Sequence, residues 1–382
     1  MRILLLAEDV GAAYSGYTVV SRALAVGMKE AGHEVILVHT RRVRLHVKRG
    51  AGRVADAPPY HRSYEIGLPR VGLLYPLHFL LCLAELTWIV RKNKVDWIHL
   101  HFHGRDRWFW GVARLWIRQP YGIVWHSLHP PSLGRLRRWY IGGLLKGSSW
   151  VASLSRHLAD EVRDLWPFAG AKSRVVYPGA EHSLSSVSVK RPDRPIPLDR
   201  PFILYVGRLT HEKGTPHLLL AFYDLLRANE IDINLVLCGP LNRPEYANFI
   251  RHLGLENRVF CLEARQRPEI SELMSRCIFL VLPSRRESFG LAALEAMFHG
   301  KPVVASRVGG ITEYLDHEQT GLLVSPGSIA ELCSAMRRLI DEPTFREALG
   351  RRARRKALRF SWSEAVAVYL SLCMNSGLEF RT

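Results

Sequence analysis

Two glutamates, Glu287 and Glu295, stand eight positions apart in the segment RRESFGLAALE, which occupies residues 285–295. The apolar run before this segment predicts a strand, and the helix that follows begins near Gly290 and ends at Gly300. Glu287 is therefore expected in a loop at the carboxyl end of a strand, and Glu295 about one and a half turns into the helix. Two carboxylates placed in this way can accept hydrogen bonds from the hydroxyl groups of a bound sugar.

The start of the predicted helix adds an anion site to the two carboxylates. The amides of Phe289, Gly290 and Leu291 lie at a helix N-terminus, where a phosphate group is favoured. Glu295 can then chelate two neighbouring ribose hydroxyls while Glu287 holds a hydroxyl of the sugar attached to the same nucleotide. The pattern also fits Glu295 as a helix-surface acid and Glu287 as a first-turn acid that the helix dipole stabilises.

A second strand-to-helix loop, VGRLTHEKG at residues 206–214, carries Arg208 and Lys213. A planar guanidinium and a mobile ammonium together suit a diphosphate, although each cation taken alone also fits an ordinary charged loop. The chain has no Walker A glycine-lysine pattern and no G-x-G-x-x-G after a strand. We therefore predict phosphate binding that uses neither of these two fingerprints.

The N-terminal half offers groups of a different kind. Gly16 precedes the first predicted helix, where it either lets the backbone approach an anionic or sugar group or forms a tight turn. His126 ends a predicted strand and can donate a hydrogen bond to a sugar or phosphate oxygen. His129, three residues later, is a loop histidine to which we assign no role.

Three further histidines, His99, His101 and His103, alternate along a predicted strand and therefore face one side. A zinc site would need more ligands, and no Cys or acidic residue is spaced to complete one. No D-x-D motif occurs that could hold a nucleotide diphosphate through a metal ion. The sequence thus predicts neither a metal site nor a cofactor.

Strands and helices must position these residues, and the hydrophobic pattern supplies them in two series. The first series predicts strands at 2–7, 34–40, 95–102, 121–127, 149–155 and 173–179, with helices at 17–33, 71–90 and 157–165. After the Pro- and Ser-rich segment 183–200, the second series predicts strands at 202–207, 233–239, 258–263, 277–283 and 302–307, with helices at 214–229 and 244–255. Such alternation predicts an α/β chain with two doubly wound parallel sheets, whose ligands bind at the carboxyl ends of the strands.

The charge is distributed unevenly over the 382 residues. Residues 1–200 contain 30 Lys and Arg against 15 Asp and Glu, a balance of +15, whereas the remainder contains 23 against 20, or +3. Segments 104–119 and 135–147 mix Arg with Trp and other aromatic residues, as a surface that meets an anionic membrane does. An ordinary solvated basic face is the alternative, and the absence of nucleic-acid-binding motifs argues against DNA or RNA.

The longest apolar segment, residues 71–90, is interrupted by Pro76, His78 and Glu85. We interpret it as a buried helix with a side that can face the surface, and not as a transmembrane segment. The six cysteines are scattered without a C-x-x-C motif, which is typical of reduced thiols in a cytoplasmic protein. We therefore expect a cytoplasmic location, with peripheral contact to the inner face of the membrane.

Taken together, ESFGLAALE, GRLTHEKG, VVYPGAEH and residues 302–327 resemble the retaining GT-B glycosyltransferases of family 4. The resemblance extends over most of the chain, including GAAYSGYTVVSRALAVGMKEAGHEV and VDWIHLHF near the N-terminus. It implies two Rossmann-like domains that face each other across a cleft. The N-terminal acceptor domain would comprise residues 1–182 with a C-terminal crossover helix at 361–382, and the donor domain residues 183–360.

For the donor side, the resemblance implies that Arg208 and Lys213 bind the diphosphate of a nucleotide sugar. Glu287 would contact the donor sugar, and Glu295 would hold the ribose hydroxyls. Arg208, Lys213 and Glu287 would also act in catalysis by stabilising the departing phosphate and positioning the sugar, without a metal ion.

Further contacts follow from the same resemblance. The amides of Phe289 and Gly290, next to Leu291 at the helix start, would assist donor binding. Gly16 would line the donor site from the first loop. His126 matches the position of the family's active-site histidine in the N-terminal domain and would be catalytic.

The implied reaction moves a hexose or N-acetylhexosamine from a nucleoside diphosphate, taken as UDP, to an acceptor hydroxyl with retained configuration. The basic, aromatic N-terminal half favours a membrane glycolipid or an envelope saccharide intermediate as acceptor. A soluble acceptor, such as a natural-product aminosugar, is the first alternative. A nucleotide-sugar 2-epimerase of the same architecture and a non-catalytic basic surface-binding protein are the others.

Overall fold

A computed structural model describes residues 1–8, 16–43, 62–69, 75–102, 107–126, 134–180, 200–228, 231–240, 244–263 and 267–378. The chain divides into two compact units. The first contains the described residues up to Tyr177 together with the C-terminal segment from Trp362, and the second extends from Pro178 to Ser361. The division falls at 177/178, before the 182/183 boundary that the sequence suggested. Most of the segment 183–200 lies outside the described residues.

The described residues of the first unit form a parallel sheet in the order β3-β2-β1-β4-β5-β6-β7. Its strands are β1 (Arg2–Glu8), β2 (Glu34–Val43), β3 (Arg62–Pro69), β4 (Trp97–Phe102), β5 (Tyr121–Trp125), β6 (Trp150–Ser153) and β7 (Ser173–Val175). Its first helices are α1 (Gly16–Glu30), α2 (Tyr75–Lys92), α3 (Arg107–Ala113), α4 (Arg135–Gly147) and α5 (Arg156–Leu165), followed by a 3₁₀ helix at Pro167–Lys172.

The second unit repeats this architecture with the described strand order β10-β9-β8-β11-β12-β13. Its strands are β8 (Phe202–Val206), β9 (Asn234–Cys238), β10 (Val259–Leu262), β11 (Phe279–Leu282), β12 (Val303–Ser306) and β13 (Gly321–Val324). Its helices are α6 (Thr215–Ala228), α7 (Pro244–His252), α8 (Arg267–Arg276), α9 (Leu291–Phe298), α10 (Ile329–Asp341) and α11 (Pro343–Ala357), with a 3₁₀ helix at Gly309–Glu313. The last helix, α12 (Trp362–Leu378), belongs to the first unit.

In each sheet the strand order reverses between the first and fourth strands of the unit. β1 lies between β2 and β4, and β8 lies between β9 and β11. At such a topological switch point, the loops after the two central strands diverge to opposite faces and leave a crevice at the carboxyl edge of the sheet. The loops that carry Arg208 and Glu287 follow β8 and β11, so they flank the switch point of the second sheet.

The inner strands of both sheets consist mainly of apolar residues. All residues of β5, β9 and β11 are buried, because helices cover both faces of a parallel sheet. α12 packs on α1 in the first unit, where a Cβ added at Gly27 would lie 2.6 Å from Cγ2 of Val366. The glycine therefore provides the room for this close helix contact.

Several elements were not predicted from the sequence, among them the helices α3, α4, α8, α10 and α11 and two strands. β3 was not predicted, because its polar residues and prolines hide the strand pattern, yet it pairs along its whole length with β2. β13 was not predicted as a strand either: its four residues lie within the segment 302–327, to which the sequence pattern assigned a strand only at 302–307. α2 buries one side and leaves Leu77, Leu81 and Trp88 exposed, so the predicted surface-facing side is extensive.

No helix in the described part of the chain is both long and apolar enough to cross a membrane. Among the described residues, which include all six cysteines, there is no disulfide.

Candidate functional site

Lys213 and Glu287 meet at the switch point of the second sheet, although 74 positions separate them in the chain. The ammonium nitrogen of Lys213 lies 2.7 Å from Oε2 of Glu287, and the side chains are 16% and 13% exposed. Ser284, which is buried, donates its hydroxyl to the same carboxylate oxygen at 3.2 Å. The loops after β8 and β11 thus place a cation and an anion together in a partly exposed position.

Backbone contacts hold these two loops against each other. The amide of Arg285 donates to the carbonyl oxygen of Glu212 at 2.8 Å. Gly214 has a φ of +74°, and a Cβ at this position would lie 2.0 Å from the carbonyl oxygen of Pro283. A side chain is therefore excluded at Gly214 by both conformation and space, and the close approach sets the position of Lys213.

Arg208 lies exposed in the same loop as Lys213. Its carbonyl oxygen accepts a 2.7 Å hydrogen bond from the hydroxyl of the buried Tyr205, which anchors the backbone and leaves the guanidinium at the surface. Burial raises the pKa of Tyr205 well above its ordinary value, so this hydroxyl keeps its proton and remains a donor. Two cations on one anchored loop provide the charge that a diphosphate requires.

Gly290 is the N-cap of α9 and adopts the left-handed conformation, with φ 87° and ψ 51°. The hydroxyl of the buried Tyr314 is within hydrogen-bond distance of the carbonyl oxygens of Phe289 at 3.0 Å and of Gly290 at 2.8 Å. A Cβ at Gly290 would lie 2.8 Å from both Ile311 and Tyr314. These contacts fix the backbone turn that leads into the first amides of α9, including that of Leu291.

The other end of α9 follows the helix-stop signal seen in the sequence. The amide of Lys301 donates to the carbonyl of Ala296, and that of Gly300 donates to Met297, both at 2.9 Å. Gly300 has a φ of +72°. This pair of bonds around a left-handed glycine is a Schellman motif, which ends the helix after Phe298.

Glu295 is buried, with 3% of its surface exposed, in a helix whose other residues are apolar. Arg267, the first residue of α8, binds both of its carboxylate oxygens: Nη1 lies 3.1 Å from Oε2, and Nη2 contacts Oε1. A buried carboxylate requires such a partner because desolvation of an unpaired charge is costly. Arg267 was not predicted from the sequence; the signal that was available is an acid inside an otherwise apolar helix.

In the first unit, His126 directly follows β5, as the sequence predicted, and it is buried. Its Nε2 lies 3.0 Å from Nδ1 of His101, a buried residue of β4. The hydroxyl of Tyr17 donates to the carbonyl oxygen of His101 at 2.8 Å, and its ring lies edge-on to His126 with centroids 4.5 Å apart. Burial lowers the pKa of His101 to about 3, so this residue is neutral at pH 7.

His99 and His101 both lie buried on β4. The Nε2 atom of His99 is 3.1 Å from Sγ of Cys373 on α12. Burial holds the pKa of His99 well below its ordinary value. Among the residues that the structure describes, no three metal-ligating side chains form a cluster. His103 and His129 lie outside those residues.

Gly16 is the first residue of α1 and is exposed, while the loop before it lies outside the described residues.

The charged donor-side candidates of the second unit come together in two sets. Lys213 and Glu287 form one set, and Glu295 forms the other with Arg267.

Comparison with known proteins covers both units. The family model described as Glycosyltransferase Family 4 matches residues 14–184, and the model described as Glycosyl transferases group 1 matches residues 187–356. The chain is 27% identical over 386 residues to a D-inositol 3-phosphate glycosyltransferase of Paenarthrobacter aurescens, covering 93% of this chain and 91% of that protein.

Solved structures agree in fold. Sucrose-phosphate synthase from Thermosynechococcus elongatus superposes with a TM-score of 0.78 at 21% identity and covers all of both chains. HepE of Anabaena, solved in complex with UDP and glucose, superposes with a TM-score of 0.75 at 20% identity, covering 98% of this chain and all of that one. Two Rossmann-like units, two matching family models and these neighbours lead to one conclusion: the chain belongs to the GT-B glycosyltransferases of family 4.

Proposed function

We propose that this glycosyltransferase moves a hexose or N-acetylhexosamine from a UDP-linked donor to an acceptor hydroxyl, with retained configuration and without a metal ion. The observation that carries the proposal is the contact of Lys213 with Glu287 at the switch point of the second sheet. At this position a ligand with a diphosphate and a sugar can engage both charges, the phosphate through Lys213 and a sugar hydroxyl through Glu287.

The leaving group is stabilised by fixed groups. Lys213 and Arg208 supply positive charge from one loop, and the amides of Gly290 and Leu291 point from the N-terminus of α9. Because the backbone contacts of Gly214 and Gly290 hold these donors in place, little reorganisation is needed as charge develops on the phosphate. Such preorganised electrostatic stabilisation supports the proposal of catalysis without an added cation.

Glu295 is proposed to accept hydrogen bonds from the ribose hydroxyls of the donor. Arg267 supports this role because it binds both carboxylate oxygens and fixes their orientation. Each carboxylate oxygen has more than one lone pair, so an oxygen already paired with the guanidinium can still accept from a hydroxyl. Arg267 is then a positioning residue for the ribose contact.

The transfer is a front-face displacement. The bond between the anomeric carbon and the phosphate oxygen breaks, and the acceptor oxygen forms the new bond on the same face. The acceptor proton passes to the departing phosphate oxygen. Glu287 and His126 are proposed to hold the donor sugar and the phosphate during this step, while Lys213 and Arg208 bind the released diphosphate.

The relatives support the choice of donor and acceptor class. HepE was solved with UDP and glucose, and this motivates a UDP-hexose as the first donor to test. The name of the Paenarthrobacter aurescens relative motivates a polyhydroxylated acceptor. The basic N-terminal half, with its balance of +15 in residues 1–200 from 30 cations and 15 acids, favours an acceptor on a membrane glycolipid or envelope saccharide.

A donor panel tests the proposal directly. Nucleotide release is measured with UDP-, GDP- and ADP-linked hexoses and N-acetylhexosamines, with and without EDTA, against lipid-linked and soluble sugar acceptors. We expect release with UDP-sugars that EDTA does not reduce, and an α-linked product from an α-linked donor by NMR. An inverted product, or activity that EDTA abolishes, would contradict the mechanism, and a new sugar epimer formed from donor alone would identify an epimerase.

A further inference from the structure

The first unit exposes an unusual set of large apolar side chains on α2, the turn after α3, α4 and the 3₁₀ helix at Pro167–Lys172. Most of the exposed large hydrophobic residues in the described chain belong to it: Leu77, Leu80, Leu81, Trp88, Leu115, Trp116, Leu136, Trp139 and Phe168. We call this set, with the basic residues of α4, the aromatic–basic face. Soluble monomers rarely expose apolar patches of more than a few hundred Å², so a face of this kind indicates a partner.

On α2 the exposed residues follow helical spacing. Leu77, Leu81, Ala84 and Trp88 are exposed at intervals of four, three and four residues, and therefore form one stripe. The opposite side is buried through Leu83 and its neighbours, so the helix is apolar on both sides. A surface helix ordinarily presents polar residues to water. The outer side of α2 presents apolar residues instead, so α2 is not an ordinary solvated surface helix.

The outer end of the α2 stripe carries a cation. The Nζ atom of Lys92 lies 4.2 Å from the centre of the Trp88 ring. Trp88 is itself 49% exposed. An exposed indole beside an ammonium is the arrangement that suits the headgroup region of a bilayer.

On α4 the exposed apolar residues alternate with arginines. Leu136 is 67% exposed and Trp139 is 75% exposed, and the neighbouring Arg135 and Arg138 are exposed as well. The buried side of this helix is formed by Ile141, Leu144 and Leu145. Both the largest exposed aromatic area and a cluster of cations therefore lie on the outer side of α4.

Contacts place α2, α3 and α4 next to one another. The rings of Phe79 on α2 and Phe109 on α3 pack edge to face, 5.7 Å apart. A Cβ at Gly111 on α3 would lie 1.6 Å from the hydroxyl of Tyr140 on α4, so these helices touch. A groove of about 420 Å³ lies between the end of α2 and the turn after α3, lined by residues that include Arg91 and Trp116.

The positive charge around the aromatic–basic face indicates which kind of partner it binds. From position 107 to position 159 the sequence contains no Asp or Glu, and its Arg and Lys residues are Arg107, Arg114, Arg118, Arg135, Arg137, Arg138, Lys146 and Arg156. We infer that the aromatic–basic face binds the surface of an anionic phospholipid bilayer, with the indole and leucine side chains at the interface and the arginines on the headgroups. A bilayer accommodates both features at once, because its interface is apolar below and negatively charged above.

This inference concerns the first unit and does not depend on the donor chemistry of the second. It specifies how a lipid-linked acceptor would be reached under the proposed function. The two can fail separately, because vesicle binding and UDP binding are measured independently.

Co-sedimentation with vesicles tests the face. The full chain is mixed with phosphatidylcholine vesicles and with vesicles that contain phosphatidylglycerol, at low and high salt. We expect binding to the anionic vesicles that weakens as salt rises, and little binding to neutral ones. Binding that is equal on both vesicles and insensitive to salt, or absent from both, would overturn the inference.

Variants locate the binding to α4. Arg135→Gln/Arg138→Gln is expected to weaken partitioning into anionic vesicles roughly 30-fold, about fivefold for each arginine. Leu136→Ser/Trp139→Ser removes exposed apolar area, and it is expected to weaken this partitioning independently of the arginines. Both changes lie on the exposed side of the helix, so UDP binding by calorimetry should remain as in the unchanged protein.

Helix α11 of the second unit provides a matched control. It carries exposed Arg351 and Arg355, and Leu358 is the exposed large apolar residue near its end. Arg351→Gln/Arg355→Gln removes the same charge and should leave vesicle binding within twofold. If this variant loses as much binding as the α4 variant, net charge alone explains the association and the face does not. If Leu136→Ser/Trp139→Ser instead converts a lipid-free dimer into a monomer, the face is an interface between copies of the chain.

Discussion

At the switch point of the second sheet, Lys213 and Glu287 form a partly exposed ion pair, whereas the first sheet carries the buried histidines His101 and His126 near its carboxyl edge. The described strands of the two units share the order of the first six, and the units differ in charge at this edge. The pKa of His101 is lowered to about 3 by burial, so it brings no positive charge at pH 7. An ion pair can exchange its carboxylate for a phosphate, whereas a neutral imidazole contributes a hydrogen bond only.

The same sheet topology therefore supports two kinds of recognition in the two units. In the second unit, the ammonium group of Lys213 is paired with the carboxylate of Glu287. This carboxylate occupies the site that a phosphate of a ligand could take on Lys213. In the first unit, hydrogen bonds among Tyr17, His101 and His126 order a network in which His101 is neutral. We therefore expect substitutions in the second unit to have the larger effects on transfer, and the following predictions test that order.

The largest effect is expected from the ion pair. Lys213→Ala should reduce kcat by about 10²–10³, because it removes a charge that stabilises the departing diphosphate. Glu287→Ala should be comparably severe because it removes the contact to the donor sugar. Initial rates of UDP release measure both variants, and circular dichroism should show an intact fold.

Lys356→Ala is the matched control for the ion pair. Lys356 also pairs with a carboxylate of the second unit, that of Asp316, but it belongs to α11 and not to the loops after β8 and β11. Its replacement should leave the rate within about twofold, as expected for an exposed pair. Near-normal turnover of both Lys213→Ala and Glu287→Ala would contradict a role of this ion pair in transfer.

The next effect concerns the ribose. Glu295→Gln should weaken UDP binding about 10- to 100-fold, because hydrogen bonds to a charged acceptor are worth about 1.5–3 kcal/mol. Calorimetry with UDP and its 2′- and 3′-deoxy analogues provides the readout. The unchanged protein should prefer UDP, and the variant should bind all three alike.

Glu272→Gln controls for the loss of an acid near the same helices. Glu272 is 59% exposed on α8 and pairs with Arg276. We expect its replacement to leave the preference for ribose unchanged. If Glu295→Gln also retained that preference, Glu295 would be a purely structural partner of Arg267.

The backbone turn at the start of α9 can be tested by stability. Gly290→Ala should lower the thermal midpoint of the second unit by at least twice as much as Gly254→Ala. Both glycines have positive φ, +87° and +67°, but only the Cβ at Gly290 would contact Ile311 and Tyr314. The strain of a side chain at positive φ alone costs about 1–2 kcal/mol. Each kcal/mol lowers the thermal midpoint by about 2–4 °C in a unit of this size. Equal shifts would show that the Tyr314 contact does not constrain the turn.

The smallest effect is expected in the first unit. His126→Asn should reduce kcat/KM about tenfold or less, because a typical single hydrogen bond contributes about 0.5–1.5 kcal/mol. His252→Asn, at an exposed position on α7, is the control and should have no effect. A loss from His126→Asn as large as that from Lys213→Ala would reverse the ranking of the two units.

Much of the fold could be predicted from the sequence because the signals are local. Apolar runs bounded by glycine and proline indicate the strands, and Gly300 marks the end of α9. β3 was missed for the same reason, since a strand rich in polar residues has no apolar pattern of its own. The family resemblance supplied the roles of Arg208, Lys213 and Glu287, which remain predictions for this chain.

Sequence alone determined that Arg208, Lys213 and Glu287 lie in strand-to-helix loops, because strand and helix signals extend over only a few residues. Only the tertiary structure decided that the two loops touch, since β8 and β11 are neighbours through the reversal of strand order. It also decided that Arg267 neutralises Glu295, a pairing across 28 positions that burial requires and no local pattern shows. Sheet topology and the cost of burying a charge are properties of the packed chain, and they determine which of its charges become partners.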